Sequence, residues 1–325
     1  MNGVRVLGVS GLLPTTILDS SLVGAAVGVD AEWIVRRTGI RERRRADPGR
    51  TSADLAVEAA RPLVAALPDI GAVVVASMTP DRQCPGMAPA IAERLGLSGV
   101  GAWDVNSACA GFVCALAGGA AMVAAGQLGR ILVIGSDVMS SMVSPTDRNT
   151  AVVFGDGAGA VVLGETSGRV GRVGPFVLGS DGSRAELAAT PFGGGHLSMR
   201  GQEVFEQAVD RMGEAARTAV AKAGWSLDEV DWLVGHQANG RILSLLGDVL
   251  GIGPARRVAC VDRMGNTANA SIPLALADLA GSGRLRAGDR IAVVSFGGGL
   301  AWGATTLEWP DGVVVCPPDD VRSTA

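Results

Sequence analysis

The chain is built twice from one pattern, and this duplication constrains its fold more than any other feature. Segment 72–77 (AVVVAS) resembles 231–236 (DWLVGH), and the helices that follow end in Leu95-Gly96-Leu97-Ser98 and Leu250-Gly251-Ile252-Gly253. Trp103-Asp104-Val105 precedes Asn106-Ser107-Ala108-Cys109, and Val261-Asp262-Arg263 precedes Met264-Gly265-Asn266. A small-residue helix follows each. Then Gln127-Leu128-Gly129-Arg130-Ile131 or Gly288-Asp289-Arg290-Ile291 leads into a strand. The five matches keep their order at an offset of about 155–160 residues, as a duplicated βαβ-rich unit requires. The halves divide near residue 165, into 1–165 and 166–325. No Pro/Gly/Ser-rich linker separates them, so one fused body is expected.

Within each copy, short apolar runs alternate with helical ones. Segments 72–76 (AVVVA), 131–134 (ILVI), 160–163 (AVVL) and 291–295 (IAVVS) read as fully buried strands. Segments 52–66, 88–95, 110–125 and 203–223 read as helices, rich in Ala and several closed by Gly. The alternation predicts an α/β fold with mostly parallel sheets. At 48% hydrophobic and 18% charged, the 325 residues are too apolar for a disordered chain. A net charge of −4 argues against bulk electrostatic binding of nucleic acid. The uncharged stretch 105–129 is dominated by Ala and Gly, which suits a core helix better than a membrane span. The opening residues carry no signal-peptide pattern, so a cytoplasmic protein with reduced thiols is expected. Five Cys without a CxxC pair, and only two His, support neither a disulfide scaffold nor a zinc site.

Chemistry in a duplicated α/β body belongs at strand ends and helix N-termini. Three uncommon residues fall there. Cys109 stands where a strand gives way to a long Ala/Gly helix, whose dipole and unpaired N–H groups would lower its pKa. The alternative is an inert core Cys, the reading given from their own surroundings to Cys84, Cys114, Cys260 and Cys316. His236 ends a strand-like run; alone it could equally be a core His bonded to a carbonyl. His196, in a glycine loop, is left to a structural role. Asn266 is a turn or N-cap residue unless, lying opposite Cys109 in the second copy, it shares a pocket with it. Phe296-Gly297-Gly298-Gly299 follows a strand, as a tight turn or as backbone N–H groups aimed at an oxyanion. Gly155-Asp156-Gly157-Ala158-Gly159 precedes a strand and not a helix, so it is no dinucleotide loop. Arg36, Arg37, Arg41, Arg43, Arg44 and Arg45 follow Trp33. They suit coenzyme A, an acidic carrier protein, or simply a solvated loop.

Taken together, these segments closely resemble the ketosynthase III family of the thiolase superfamily, the initiating β-ketoacyl-acyl-carrier-protein synthases. The resemblance rests on 32–44 (EWIVRRTGIRERR), 107–112 (SACAGF), 145–148 (PTDR), 154–160 (FGDGAGA), 236–239 (HQAN), 265–267 (GNT) and 296–299 (FGGG). It implies a thiolase-like five-layer αβαβα fold and a homodimer. It implies that Cys109 is the acylated nucleophile and that His236 and Asn266 support decarboxylation. Gly298 would join Cys109 in the oxyanion hole, with Phe296 near the malonyl carboxylate. Trp33, Arg37 and Arg148 would hold the coenzyme A head group, Asn239 would touch the pantetheine arm, and Arg241 would dock the carrier protein. Acyl-CoA, a malonyl thioester and acyl carrier protein are the implied partners; no cofactor, nucleic acid or membrane is.

The chain also departs from the family. Cys84 stands where the housekeeping enzyme commonly has a Phe that crosses the dimer into the partner's acyl pocket. Met78 and Met139 match other pocket-lining positions and could refill the space with flexible side chains. Segment 190–202 looks short and carries three consecutive Gly. Together these features predict a branched, longer or aromatic primer in place of acetyl. Two other readings stand beside starter-unit condensation: acyl transfer to a hydroxyl or carrier without condensation, and a non-catalytic partner subunit. The paired His236 and Asn266 speak for condensation.

Overall fold

The computed structural model describes residues 3–168, 171–191 and 193–319. It is a thiolase-like α/β fold of five layers. The first sheet runs in the order Val314–Cys316, Gly3–Leu12, Gly157–Thr166, Arg130–Asp137, Ala72–Ala76, Gly101–Val105. The second runs Trp232–Gly235, Arg290–Gly297, Ala301–Glu308, Val173–Ser180. Helices Ser52–Ala66 and Ala88–Arg94 cover the first sheet, and Gly201–Lys222 and Gly240–Leu250 the second. Between the sheets lie Gly111–Ala124 and Ser271–Gly281. Their sequences, GFVCALAGGAAMVA and SIPLALADLAG, are apolar almost all round, and only a helix buried on both sides carries such a sequence.

The repeat is visible in the ladders. Ala72 pairs with Ile131 in parallel, and Trp232 with Ile291, the same pair 160 residues on. Arg130–Asp137 then pairs antiparallel with Gly157–Thr166, and Arg290–Gly297 with Ala301–Glu308. The sheets are therefore mixed, where the alternation predicted mostly parallel ones. Each returning strand reverses on its predecessor without a crossover helix. The fifth strand, Gly101–Val105, is reduced in the second copy to the bridge Leu233–Arg257. Val314–Cys316 crosses back to the edge of the first sheet, so the halves interlock.

Two turns carry the duplication to atomic detail. Ala108 and Ala268 both adopt left-handed backbone, with φ of 45° and 47°. Asn106 Oδ1 accepts the N–H of Ala108 at 3.2 Å, and Asn266 Oδ1 that of Ala268 at 3.0 Å. This registers Asn266 with Asn106, and Asn269 with Cys109. The expectation that Asn266 lies opposite Cys109 is off by three residues.

Candidate active site

One cavity of about 650 Å³ is lined by Cys109, His236, Asn266, Phe296 and Gly298. Trp33, Arg37, Arg148, Asn239, Arg241 and Met78 line it too. The longer of the two strand reversals, 138–156 against 298–300, delivers Arg148 to this wall.

Cys109 sits two residues before its helix begins, and its Sγ lies 3.6 Å from Met78 Sδ. Ser295 Oγ donates to its carbonyl at 2.8 Å, tying the Cys109 turn to the second sheet. Gly297 presses on the same turn: a Cβ there would stand 2.5 Å from Cys109 N. Only glycine permits that approach. Gly298 is just as confined, its missing Cβ falling 2.6 Å from Ala188 O. Burial pushes the Cys109 thiol up to about 12, with the Asp137 carboxylate adding to the effect. The direction is opposite to the depression expected from the helix N-terminus. Desolvation is the largest cause of the shift, and the N–H of Phe112 in the first turn is already taken by Asn269 Oδ1 at 3.0 Å.

His236 is 2% exposed, and burial alone lowers its pKa to about 4, so the ring is neutral near pH 7. Its Nδ1 is buried without a hydrogen-bond partner among the described residues. A buried N–H without an acceptor would be the costlier arrangement, so the proton belongs on Nε2, ready to donate into the cavity. The backbone around it is held by Gln237, which donates to Gly235 O and Val258 O and accepts from the N–H groups of Cys260 and Val261. Asn266 Oδ1 is used by Ala268, which leaves Nδ2 as its donor.

The mouth of the cavity is basic. Asp30 caps the helix Ala31–Thr38 through Trp33 N, and the i,i+4 spacing stacks the Arg37 guanidinium 4.5 Å over the Trp33 ring. Arg241 lies 5.5 Å over Phe205. Asn239 has both ends of its amide engaged: Oδ1 accepts from Arg241 N, and Nδ2 donates to Arg37 O across the two halves.

Several expected site residues lie elsewhere. Met139 is fully buried among Ile34, Ile40, Val152 and Val153 and does not line the cavity, because its short 3-10 turn aims it into the core. Arg43 is not a mouth residue either; it is 2% exposed and donates to Leu18 O, Ser20 Oγ and Val152 O. Arg44 is buried beside it and donates to Pro14 O. Cys84 is exposed and outside this chain's own cavity. Segment 190–202 supplies Leu197, Met199 and Gln202 to the wall, and the helix that begins in it, Gly201–Lys222, adds Val204, Phe205 and Met212. None of these was singled out from the sequence, although the helix places 201, 205, 208 and 212 on one face. Asp137 was missed as well. It is fully buried and accepts from Ser77, Met78, Thr79 and Asn269.

Residues 103–182 match the family model of 3-oxoacyl-[acyl-carrier-protein] synthase III, and residues 220–309 match the model of its C-terminal part. The chain is 49% identical to β-ketoacyl-[acyl-carrier-protein] synthase III 2 of Streptomyces coelicolor over 94% of each chain. It belongs to the 3-oxoacyl-acyl-carrier-protein synthase III family. Among solved structures it is similar to the synthase III of Pseudomonas aeruginosa PAO1, with a TM-score of 0.92, 39% identity, and coverage of 95% of this chain and 99% of that one. It is also similar to the priming β-ketosynthase of the R1128 polyketide pathway, with a TM-score of 0.91, 34% identity and coverage of 96% and 97%. In this family member, no helix among the described residues is long and apolar enough to cross a membrane.

Proposed function

We propose that this chain is a starter-unit condensing enzyme. It loads an acyl group from acyl-CoA or an acyl carrier protein onto Cys109 and joins that group to a malonyl thioester with loss of carbon dioxide. The reading rests on one observation: a sulfur, a neutral imidazole and a carboxamide from different elements line a single cavity.

In the first half-reaction the Cys109 sulfur attacks the thioester carbonyl, a bond to Cys109 replaces the bond to the departing thiolate, and the thiol proton ends on that leaving group. The exchange is close to isoenergetic. In the second, the malonyl carboxylate leaves as carbon dioxide, and its electron pair becomes an enolate. His236 Nε2–H and Asn266 Nδ2–H stabilise the enolate oxygen. The enolate carbon attacks the acyl-Cys109 carbonyl, and the released sulfur takes up one proton. Neither step changes an oxidation state at the protein or requires a cofactor. Trp33, Arg37 and Arg148 suit the base and phosphates of coenzyme A, and Arg241 suits an acidic carrier protein. Cys84 reaches a partner's acyl pocket only in a homodimer, which we include in the proposal together with a primer larger than acetyl.

Intact-protein mass spectrometry after incubation with mixed acyl-CoAs tests the loading step. Addition of an acyl mass that disappears in Cys109→Ser is the expected result, with acetyl not preferred. Release of carbon dioxide from malonyl carrier, lost in Asn266→Ala, separates condensation from plain transfer. A chain that acylates but releases none is a transferase.

A further inference from the structure

We infer that Asp137 and Asn269 form a positioning brace that sets the nucleophile's helix against the decarboxylation turn. The inference rests on the reading of Cys109 as nucleophile. Asp137 ends the strand Arg130–Asp137 and is fully buried. Its Oδ1 accepts from Ser77 Oγ at 3.0 Å, Met78 N at 2.6 Å, and Thr79 N and Oγ1 at 3.1 Å each. Its Oδ2 accepts from Asn269 N and Nδ2, both at 2.9 Å. One carboxylate thus joins the segment whose Met78 touches the Cys109 sulfur to the turn that carries Asn266.

Asn269 completes the link. Its Oδ1 accepts the N–H of Phe112 at 3.0 Å, in the first turn of Gly111–Ala124. That helix has no side-chain cap of its own, since Ala110 stands at the cap position. Asn269 is the repeat counterpart of Cys109, so the second copy caps the helix that the first copy uses for its nucleophile. The fit is close: a Cβ on Gly111 would lie 2.7 Å from Asn269 Oδ1. The backbone contact of Asn269 is separable from its two side-chain contacts, Nδ2 to Asp137 and Oδ1 from Phe112 N. Its backbone N–H on Asp137 fixes the turn of Asn266, and its side chain fixes the helix of Cys109.

The test is a split between half-reactions. Asn269→Ala keeps the backbone bond to Asp137 and loses both side-chain contacts, to Phe112 N and to Asp137 Oδ2. Single-turnover acylation of Cys109, read by quenched mass spectrometry, is expected to fall about 10–100-fold at saturating acyl-CoA, with the half-saturating concentration unchanged. Carbon dioxide release on mixing pre-acylated enzyme with malonyl carrier should stay within about threefold of the unmodified chain. Asp137→Asn, which turns an N–H₂ toward existing donors, should slow both steps. If Asn269→Ala does not fold, Asn269→Ser serves, because its hydroxyl stops short of Phe112 N. A folded Asn269 variant that acylates at the unmodified rate overturns the inference, as does one that loses both half-reactions equally. Failure of the unmodified chain to acylate would instead sink the reading of Cys109.

Discussion

Gly297→Ala is the sharpest probe of how the nucleophile turn is held. A Cβ at this position would stand 2.5 Å from Cys109 N, 3.0 Å from Ala110 N and 3.1 Å from Ala108 Cβ. None of these atoms is the end of a side chain that could swing away. Ordinary contact distance can be restored only if the strand end and the turn separate by about 1 Å. Overpacking of this kind costs about 1–3 kcal/mol of stability. A 1 Å misplacement of reacting groups costs up to about 100-fold in rate. In the proposed function, coenzyme A is held by Trp33, Arg37 and Arg148, which lie outside the disturbed turn. We therefore expect acylation of Cys109 to slow by about 10–100-fold, with apparent affinity for acyl-CoA within about threefold of the parent. Rapid-quench mass spectrometry across a range of acyl-CoA concentrations gives both quantities, and thermal melting gives the stability. Acylation at the parental rate in a folded variant would refute the claim that close backbone approach fixes the nucleophile.

Site-resolved alkylation of Cys109 by iodoacetamide should rise about tenfold per pH unit from pH 7 to 10 without a plateau, because its thiol is pushed up to about 12; a plateau below pH 9 would show a thiolate held by the helix N-terminus. His236, lowered to about 4, remains neutral in the folded chain while an unfolded His gains its proton near 6.5. Its contribution is therefore complete above pH 6.5 and is lost as pH falls toward 4, roughly 3 kcal/mol in all; denaturant titrations of the parent and His236→Gln across that window should diverge by this amount. Arg43→Ala leaves Leu18 O, Ser20 Oγ and Val152 O without their donor and opens a void, and should lower unfolding free energy by about 3 kcal/mol in urea titration. Gly213→Ala, in the helix Gly201–Lys222, meets only ordinary contacts at 3.5 Å and should stabilise by about 0.5–1 kcal/mol in the same assay.

What was legible in the sequence was what one short window decides. AVVVA reads as a strand buried on both faces, and its bounds, Ala72–Ala76, are those of the structure. Cys109, His236 and Asn266 stand out as candidates because strand ends and helix starts are marked by Gly and by changes of period, but only the family resemblance separates them from their structural alternatives. Arg43 was not legible: in a charge run it looks solvated. Yet its strand pairs with Thr16–Asp19, and its partners include Val152, more than a hundred residues away. Met139 was misplaced because a turn's side-chain direction depends on what packs around it. The acidity of Cys109 was misjudged for a related reason. A local reading sees the helix N-terminus but neither the burial nor the Asp137 charge. Asp137 itself looks like an ordinary strand-end residue until segments 77–79 and 269 converge on it.

The two copies show how one turn was divided between two tasks. Residues 106–110 and 266–270 share their backbone geometry, and each opens a central helix. Facing each turn is the end of a strand, Asp137 in one copy and Gly297 in the other, at equivalent positions of the repeat. Where the strand ends in Asp137, its carboxylate accepts the N–H of Asn269, and that turn becomes a brace. Where it ends in Gly297, no side chain stands over the N–H of Cys109. In the proposed function, an acyl oxygen arriving at the sulfur would meet the donor that, in the other copy, a carboxylate already holds. The two turns thus differ in the strand-end residue that faces them, Asp137 over Asn269 and Gly297 over Cys109. Glycine in place of aspartate brings no carboxylate to the N–H beside the sulfur, which in the proposed function would face the negative charge that develops when the thioester is attacked.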